Sequence, residues 1–219
     1  MLRSQRIPLW LKLAYTAFCA VLVPVYWSAY GPTNFLYFCD AALLIALPGL
    51  WLENALLLSA PAVGITIPQA IWVLDFIGGL FGAPLTHMTD YMFNPGLALF
   101  TRFLSFFHFW LPFLLLWAVA RLGYDRRAFA VWTVFALVLL FVCYFLMPAP
   151  PPPADNPNLP VNINYVYGLS DDKPQTWLPT DAWFSLLLVG LPVLVFLPTH
   201  LVLSRWFGRR SPDPHARLA

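Results

Sequence analysis

Four residues that could take part in catalysis interrupt segments of the sequence that otherwise suit a lipid bilayer. They are a thiol, two carboxyl groups and an imidazole: Cys39, Asp40, Asp75 and His108. A cysteine attacks as a nucleophile once a base has taken its proton, and a histidine oriented by a carboxylate can be that base. If these residues share one site, they predict acyl transfer through Cys39 with His108 as the base.

The composition explains why polar residues are informative in these segments. Of the 219 residues, 60% are hydrophobic and 10% are charged, whereas soluble domains are roughly 45 to 50% apolar and about 25% charged. We therefore expect an integral membrane protein, and nothing in the sequence suggests nucleic acid binding. Three cysteines without a Cys-x-x-Cys pair argue against a disulfide scaffold or a zinc site. A bridge between Cys39 and Cys143 stays open.

Six apolar segments are long enough to cross a bilayer, which takes about 20 helical residues. Their predicted bounds are 9–30, 34–52, 55–80, 101–121, 128–147 and 182–205. The predicted fold class is all-α: one transmembrane domain, residues 1–219, formed by a bundle of six helices with a long outer loop between the last two. The third segment contains Pro61, Gly64 and Pro68, and it could be bent or re-entrant.

The basic residues predict the orientation of the bundle, because arginine and lysine concentrate on the cytoplasmic side. An even number of spans puts both termini on one face, together with the turn at Glu53 and the loop RLGYDRR. Of the 12 basic residues, all but Arg102 and Lys173 lie on that face. We therefore expect a multi-pass protein of the inner or plasma membrane with both termini in the cytoplasm. The first segment is too long for the apolar region of a signal peptide.

The four polar residues lie at similar predicted depths. At about 1.5 Å per residue, Cys39 and Asp40 are roughly 8 to 9 Å below the outer end of the second span. Asp75 is at a similar depth in the third span, and His108 is about 10 Å below the outer end of the fourth. We expect both carboxyl groups to face the bundle interior, because a lipid-facing aspartate is costly. Pro112 should kink the fourth helix at His108, whose carbonyl loses its helical donor.

Two tryptophans and one loop could complete a site in this layer. Trp72 and Trp110 lie inside the third and fourth spans and could wall a lipid-shaped pocket. The outer loop, residues 148–181, begins with PAPPPPADNPNLP, which favours an extended backbone. We interpret the following NINYVYG as a lid on the bundle, with a solvated linker as the alternative.

No metal ion or cofactor is expected. His87 and Asp90 could contact a cation at the mouth of the cavity, but their spacing is weak and a solvated turn explains it. His200 lies too far below His108 for the two to share a haem. The cysteine and the aspartates also have structural explanations, since free cysteine usually packs as an apolar side chain. Their joint placement in one layer is what favours function.

Four short segments resemble a known family. FLYFCDAALL, PQAIWVLDF, FLSFFHFWLPF and NINYVYG occur in the order typical of the YwaF-like bacterial integral membrane proteins and their animal relatives, membrane acyltransferases thought to use a cysteine. A more distant similarity is to androgen-induced membrane hydrolases of lipid esters. The resemblance implies Cys39 as nucleophile and His108 as its base, with Asn164 and Tyr165 near the site. Tyr37 stands where the family has a histidine, and we group it with the substrate-binding residues.

The leading hypothesis is a membrane-embedded acyl transferase or lipid-ester hydrolase that acts on membrane lipids in the outer leaflet. Two other classes stay open. A non-catalytic subunit or assembly factor would use its buried polar residues to hold helices together. A proton-coupled carrier would relay protons through Asp40 and Asp75, although no internal repeat supports it.

Overall fold

A computed structural model describes residues 6–170 and 173–208. Within those ranges the chain is helical and contains no β-strand. The helices are α1 (Leu9–Tyr30), α2 (Phe38–Leu52), α3 (Ala55–Leu80), α4 (Leu99–Leu104), α5 (Phe107–Leu122), α6 (Ala128–Leu146), α7 (Thr180–Gly190) and α8 (Leu197–Phe207). A π-helical segment, Leu191–Phe196, joins α7 to α8, and short 3-10 helices lie at Pro32–Leu36, Asp90–Phe93 and Ile163–Tyr165.

The predicted all-α, multi-pass membrane fold is confirmed. In the described part of the chain, five helical segments are long and apolar enough to cross a membrane, and α2 is a sixth, shorter apolar helix. The predicted bounds of the first and third spans coincide with those of α1 and α3. The fourth predicted span consists of α4 and α5, which a turn at Ser105 and Phe106 separates. The sixth consists of α7, the π-helical segment and α8.

The central element of the bundle is α3, which packs against α2, α5, α6 and α8. Residues 58–65 of α3 are all buried. A methyl group on Gly64 would overlap the indole ring of Trp132 in α6, so the glycine permits the close approach of these two helices. The helix is continuous over 26 residues although it contains Pro61 and Pro68. The segment therefore forms one long helix and does not re-enter.

One end of the bundle gathers the start of α1 and the turn between α2 and α3. The backbone N–H groups of Arg6 and Ile7 and the Lys12 ammonium group donate hydrogen bonds to the Glu53 carboxylate. Burial opposes ionisation of Glu53, but these hydrogen bonds outweigh it and lower the pKa of Glu53. The Lys12 side chain is only 5% exposed, so Glu53 is the counter-ion of a buried cation.

The end of α8 and the loop after α5 meet each other. The Tyr124 backbone N–H donates to the Phe207 carbonyl at 2.8 Å, and the Tyr124 hydroxyl lies 2.7 Å from His200 Nδ1. The Asp125 N–H donates to the Ser59 hydroxyl of α3. Four basic residues that the topology predicted for one face, Arg3, Arg209, Arg210 and Arg217, lie outside the described residues.

The opposite end carries the long connections, including residues 147–179. The proline-rich half of this loop is solvated, with residues 153–158 exposed. The second half is packed, because residues 160–164 are buried against the bundle. Ile163 and Val166 share an apolar cluster with Leu140 and Cys143 of α6. NINYVYG therefore lies on the bundle as the lid interpretation predicted.

Candidate functional site

Cys39 and Asp40 occupy the first turn of α2. The Cys39 thiol donates a hydrogen bond from Sγ to Oδ2 of Asp40 at 3.7 Å, and Asn34 Nδ2 donates to the same oxygen at 3.4 Å. Asp40 is 3% exposed, and its other oxygen, Oδ1, is buried without a hydrogen-bond partner among the described residues. The amino end of a helix favours negative charge on side chains in this position. A half-buried thiol is therefore paired with a buried carboxyl group that has one spare acceptor atom.

The amino end of α2 is held by the outer loop. Asn164 Oδ1 accepts a hydrogen bond from the Phe38 N–H at 2.9 Å, and Asn164 Nδ2 donates to the Leu36 carbonyl at 2.9 Å. The same nitrogen lies 3.4 Å from Cys143 Sγ. Phe38 is the first residue of α2, so Asn164 satisfies a helix-end N–H as a capping residue does, but from a distant part of the chain.

His108 is the second residue of α5 and follows the turn at Ser105 and Phe106. Its Nδ1 lies 2.7 Å from the Ser105 carbonyl oxygen. A carbonyl only accepts, so Nδ1 carries the proton and Nε2 is the unprotonated nitrogen of the neutral ring. Nε2 makes no hydrogen bond within the described residues. The helix is interrupted at Ser105 and Phe106, slightly before the kink that Pro112 predicted at His108.

Three hydroxyl groups that the sequence analysis missed lie around the aspartate and the histidine. The Tyr26 and Ser105 hydroxyl oxygens are 2.6 Å apart, and Trp72 Nε1 donates to the Tyr91 hydroxyl at 3.2 Å. Tyr26 and Tyr91 both lie close enough to Asp40 to interact with it electrostatically. Burial raises the pKa of Tyr91, so its phenol stays protonated and can donate a hydrogen bond.

Trp72 connects this cluster to the imidazole. The Trp72 and His108 rings stack with their centroids 4.8 Å apart and an interplanar angle of 16°. No hydrogen bond joins His108 to Cys39 in the described structure, because the thiol bonds to Asp40 and the imidazole bonds to Ser105. The partner of the Cys39 thiol is therefore the neighbouring carboxyl group.

Asp75 binds a loop instead of this cluster. Its carboxylate accepts hydrogen bonds from the N–H groups of Thr86 at 2.5 Å, His87 at 3.1 Å and Thr89 at 2.9 Å, and from the Thr89 hydroxyl at 2.6 Å. All of these donors belong to the loop that follows α3. The structure thus gives Asp75 hydrogen-bond partners other than Asp40 and His108.

The second tryptophan predicted to line the pocket packs elsewhere. Trp110 makes edge-on contacts with Tyr15 and Phe18 of α1, at centroid distances of 5.8 and 5.0 Å. Trp72 instead lines a groove between α3 and α5 that does not include Trp110. The two tryptophans therefore do not wall one pocket.

One of the two predicted substrate-binding tyrosines contacts the lid, and the other belongs to it. The Tyr37 hydroxyl donates to the Val161 carbonyl at 3.4 Å. The Tyr165 carbonyl accepts a hydrogen bond from Trp183 Nε1 at 2.9 Å. Tyr37 thus connects the start of α2 to the lid, and Tyr165 connects the lid to α7.

No group of three His, Cys, Asp or Glu side chains within residues 6–170 and 173–208 is arranged to hold a metal ion. His87 Nδ1 lies 3.1 Å from Asp90 Oδ2 at the surface, where both side chains are more than half exposed. This is the solvated turn that the spacing of His87 and Asp90 allowed.

Comparison of the sequence with protein-family models and with characterised proteins, and of the fold with solved structures, finds no match. The resemblance to the YwaF-like family therefore stays a prediction based on four short segments.

Proposed function

We propose that this protein is a membrane-embedded enzyme that transfers an acyl group from a lipid ester, with Cys39 as the nucleophile and Asp40 as the acceptor of its proton. The observation that carries the proposal is the Cys39 Sγ to Asp40 Oδ2 hydrogen bond in the first turn of α2. The unpartnered Oδ1 of Asp40 leaves this carboxyl group able to accept a further hydrogen bond. Asn34 and the amino end of α2 stabilise its charged form, which the burial of Asp40 disfavours.

The first half of the reaction forms a thioester. Asp40 takes the thiol proton while Cys39 Sγ attacks the ester carbonyl carbon, so that a carbon–sulfur bond forms. The carbon–oxygen bond to the lipid alcohol then breaks, and Asp40 returns the proton to the departing alkoxide. The products of this half are an S-acyl Cys39 and a free alcohol.

The second half regenerates the thiol. His108 Nε2 takes a proton from the acceptor, either water or an alcohol, and the acceptor oxygen attacks the thioester carbon. The carbon–sulfur bond breaks, and the proton passes from the His108 imidazolium to the Cys39 thiolate through a water molecule. Support for this role comes from the free Nε2 and from the Trp72 and Tyr91 contacts that connect the imidazole to the surroundings of Asp40.

The proposed site lies in the outer half of the bilayer. The end of the bundle that carries Arg6, Lys12 and Arg127 would face the cytoplasm under the positive-inside rule. Both termini would then be cytoplasmic, and the lid would face outward. Membrane lipids of the outer leaflet would supply the acyl group.

The test is to identify the acyl-enzyme. The purified protein is incubated with a p-nitrophenyl ester of a long-chain fatty acid, and the modified residue is located by mass spectrometry before and after hydroxylamine, which cleaves thioesters. We expect a hydroxylamine-sensitive acyl group on Cys39 and none in Cys39→Ala. Asp40→Asn should slow its formation by at least about a hundredfold, the lower end of the contribution of a general base.

The two other thiols provide matched controls. Cys19 and Cys143 are buried in the bundle, whereas Cys39 is half-buried. The Cys19→Ala and Cys143→Ala variants should be acylated at Cys39 to the same extent as the unmodified protein. Equal acylation of all three cysteines, or unchanged release of p-nitrophenol by a folded Cys39→Ala variant, would refute the proposal. Thermal unfolding in detergent establishes that each variant is folded.

A further inference from the structure

A groove opens between α3 and α5 next to the proposed site. Its volume is about 340 Å³, and every side chain that lines it is apolar: Trp72, Val73, Phe76, Ile77, Phe106 and Phe109. Ile77 and Phe109 are 46% and 51% exposed. In a bundle that spans a membrane, apolar side chains exposed on a helix face meet acyl chains, so the groove opens toward lipid.

One residue of the groove wall also contacts the polar residues around Asp40. Trp72 lines the groove, stacks on His108 with centroids 4.8 Å apart, and donates its indole N–H to Tyr91. One ring therefore borders both the lipid-facing groove and the residues around Asp40. A chain lying in the groove would contact Trp72, the ring that also stacks on His108.

An arginine binds the loop segment that packs on the groove. Arg102 Nη1 donates to the Met92 carbonyl at 3.0 Å, and the next residue, Phe93, stacks on the groove residue Phe76 with centroids 5.5 Å apart. Arg102 Nε is buried without a hydrogen-bond partner in the described structure. None of the ion pairs found among the described residues includes Arg102.

A guanidinium group that has no carboxylate partner among the described residues, and that binds a loop packed on an apolar groove, matches one type of ligand. A phosphate group accepts several hydrogen bonds from arginine, and an acyl chain fills apolar space. We propose that the groove binds one acyl chain of an anionic phospholipid whose phosphate is bound by Arg102. Lipid binding itself does not need Cys39. The inference rests on the proposed function only where it makes the bound lipid the acyl donor.

Binding is measured by native mass spectrometry of the full chain in a neutral detergent, titrated with phosphatidylglycerol or phosphatidylcholine. We expect phosphatidylglycerol to bind more tightly than phosphatidylcholine. The phosphatidylcholine headgroup carries an ammonium group beside its phosphate, and this positive charge repels the guanidinium group. Arg102→Gln should weaken phosphatidylglycerol binding by about tenfold, the loss of one charge-assisted contact, and Arg102→Lys should keep part of it. Arg205→Gln, an exposed arginine at the other end of the bundle, should bind as the unmodified protein does.

A second variant tests the groove independently of the arginine. Ile77→Trp fills it and should weaken the binding of both lipids, whereas Val134→Trp, at a residue 63% exposed on α6, should not. Excess inorganic phosphate should not displace the lipid, because it lacks the chain. Equal binding by Arg102→Gln and the unmodified protein, or equal effects of Ile77→Trp and Val134→Trp, would overturn the inference.

The two proposals can fail separately. Cys39→Ala should bind phosphatidylglycerol normally and form no acyl-enzyme. If Ile77→Trp binds lipid normally while Cys39 is acylated, the groove assignment is wrong and the enzyme assignment stands. If Ile77→Trp weakens lipid binding but no cysteine is acylated, the groove assignment stands and the enzyme assignment is wrong.

Discussion

Asn164 caps α2 by accepting a hydrogen bond from the Phe38 backbone N–H at 2.9 Å. Because Cys39 follows Phe38 directly, the outer loop fixes the helix end that carries the thiol. Asn164→Ala removes this acceptor and the donor to Leu36. We expect it to lower the free energy of unfolding by about 1 to 2 kcal/mol and to slow acylation of Cys39.

The control for the Asn164 variant is Asn158→Ala, a change at an exposed residue of the same loop. Thermal unfolding in detergent and the rate of acyl-enzyme formation are measured for both. Unfolding midpoints and rates that match in the two variants would show that the loop does not position the helix.

Asp75 organises the loop after α3. Asp75→Asn removes the charge and one of the acceptor oxygens that bind Thr86, His87 and Thr89. Since hydrogen bonds to charged groups contribute about 1.5 to 3 kcal/mol, the loop should open more often. Hydrogen exchange should then become faster at the amides of residues 86–89.

Asp90→Asn provides the comparison for Asp75, because Asp90 lies in the same region with an exposed side chain. Its exchange pattern should match that of the unmodified protein. If Asp75→Asn instead leaves exchange unchanged and abolishes acylation, Asp75 acts in catalysis as the sequence predicted.

Gly64 allows α3 to pack against Trp132 of α6. A Cβ atom at this position would overlap the indole ring, so Gly64→Ala should destabilise the protein by about 1 to 3 kcal/mol through overpacking. Gly190→Ala is the matched change, because nothing lies near a Cβ atom there. Trp132→Leu in the Gly64→Ala background should recover part of the unfolding midpoint; no recovery would mean that the overlap is not the cause.

Glu53 should make stability depend on pH. Its pKa is lowered from an ordinary 4.5, because the hydrogen bonds from Lys12 and the backbone outweigh the effect of burial. A carboxyl group with a lowered folded-state pKa stabilises the protein fully above its unfolded pKa. That contribution is lost as the pH falls below about 4.5 through the folded-state pKa.

The measurement is the unfolding midpoint of the unmodified protein and of Glu53→Gln from neutral pH to pH values below the folded-state pKa. The unmodified protein should be the more stable at neutral pH, because Glu53→Gln leaves the buried Lys12 ammonium without a counter-ion. The difference in unfolding midpoint between the two proteins should shrink on acidification. The effects of the other carboxyl groups cancel in this difference, because both proteins contain them. A constant difference would show that the ion pair does not contribute.

Hydropathy alone predicted the bounds of α1 and α3, because their apolar runs end at turn residues. It placed the start of the second helix too early. Pro32 opens a 3-10 helix there, and α2 begins only at Phe38, where Asn164 supplies the cap. Such a cap involves residues far apart in the chain, which hydropathy does not relate to each other.

The candidate site was predictable only in part. Residue type and depth singled out Cys39, Asp40 and His108, but depth does not fix the rotation of a helix or the partner of a side chain. Asp75 satisfies its carboxylate with backbone N–H groups of a loop, which have no signature in the sequence. Tyr91 enters from the same loop, so nothing in the spans pointed to it.

The length of α2 affects the surrounding bilayer. Fifteen residues measure about 22 Å, roughly 8 Å less than the thickness of an average hydrocarbon core. Lipids beside this helix must shorten or tilt, a hydrophobic mismatch that thins the membrane next to Cys39. We therefore expect short-chain bilayers to relieve this local deformation, and long-chain bilayers to increase it.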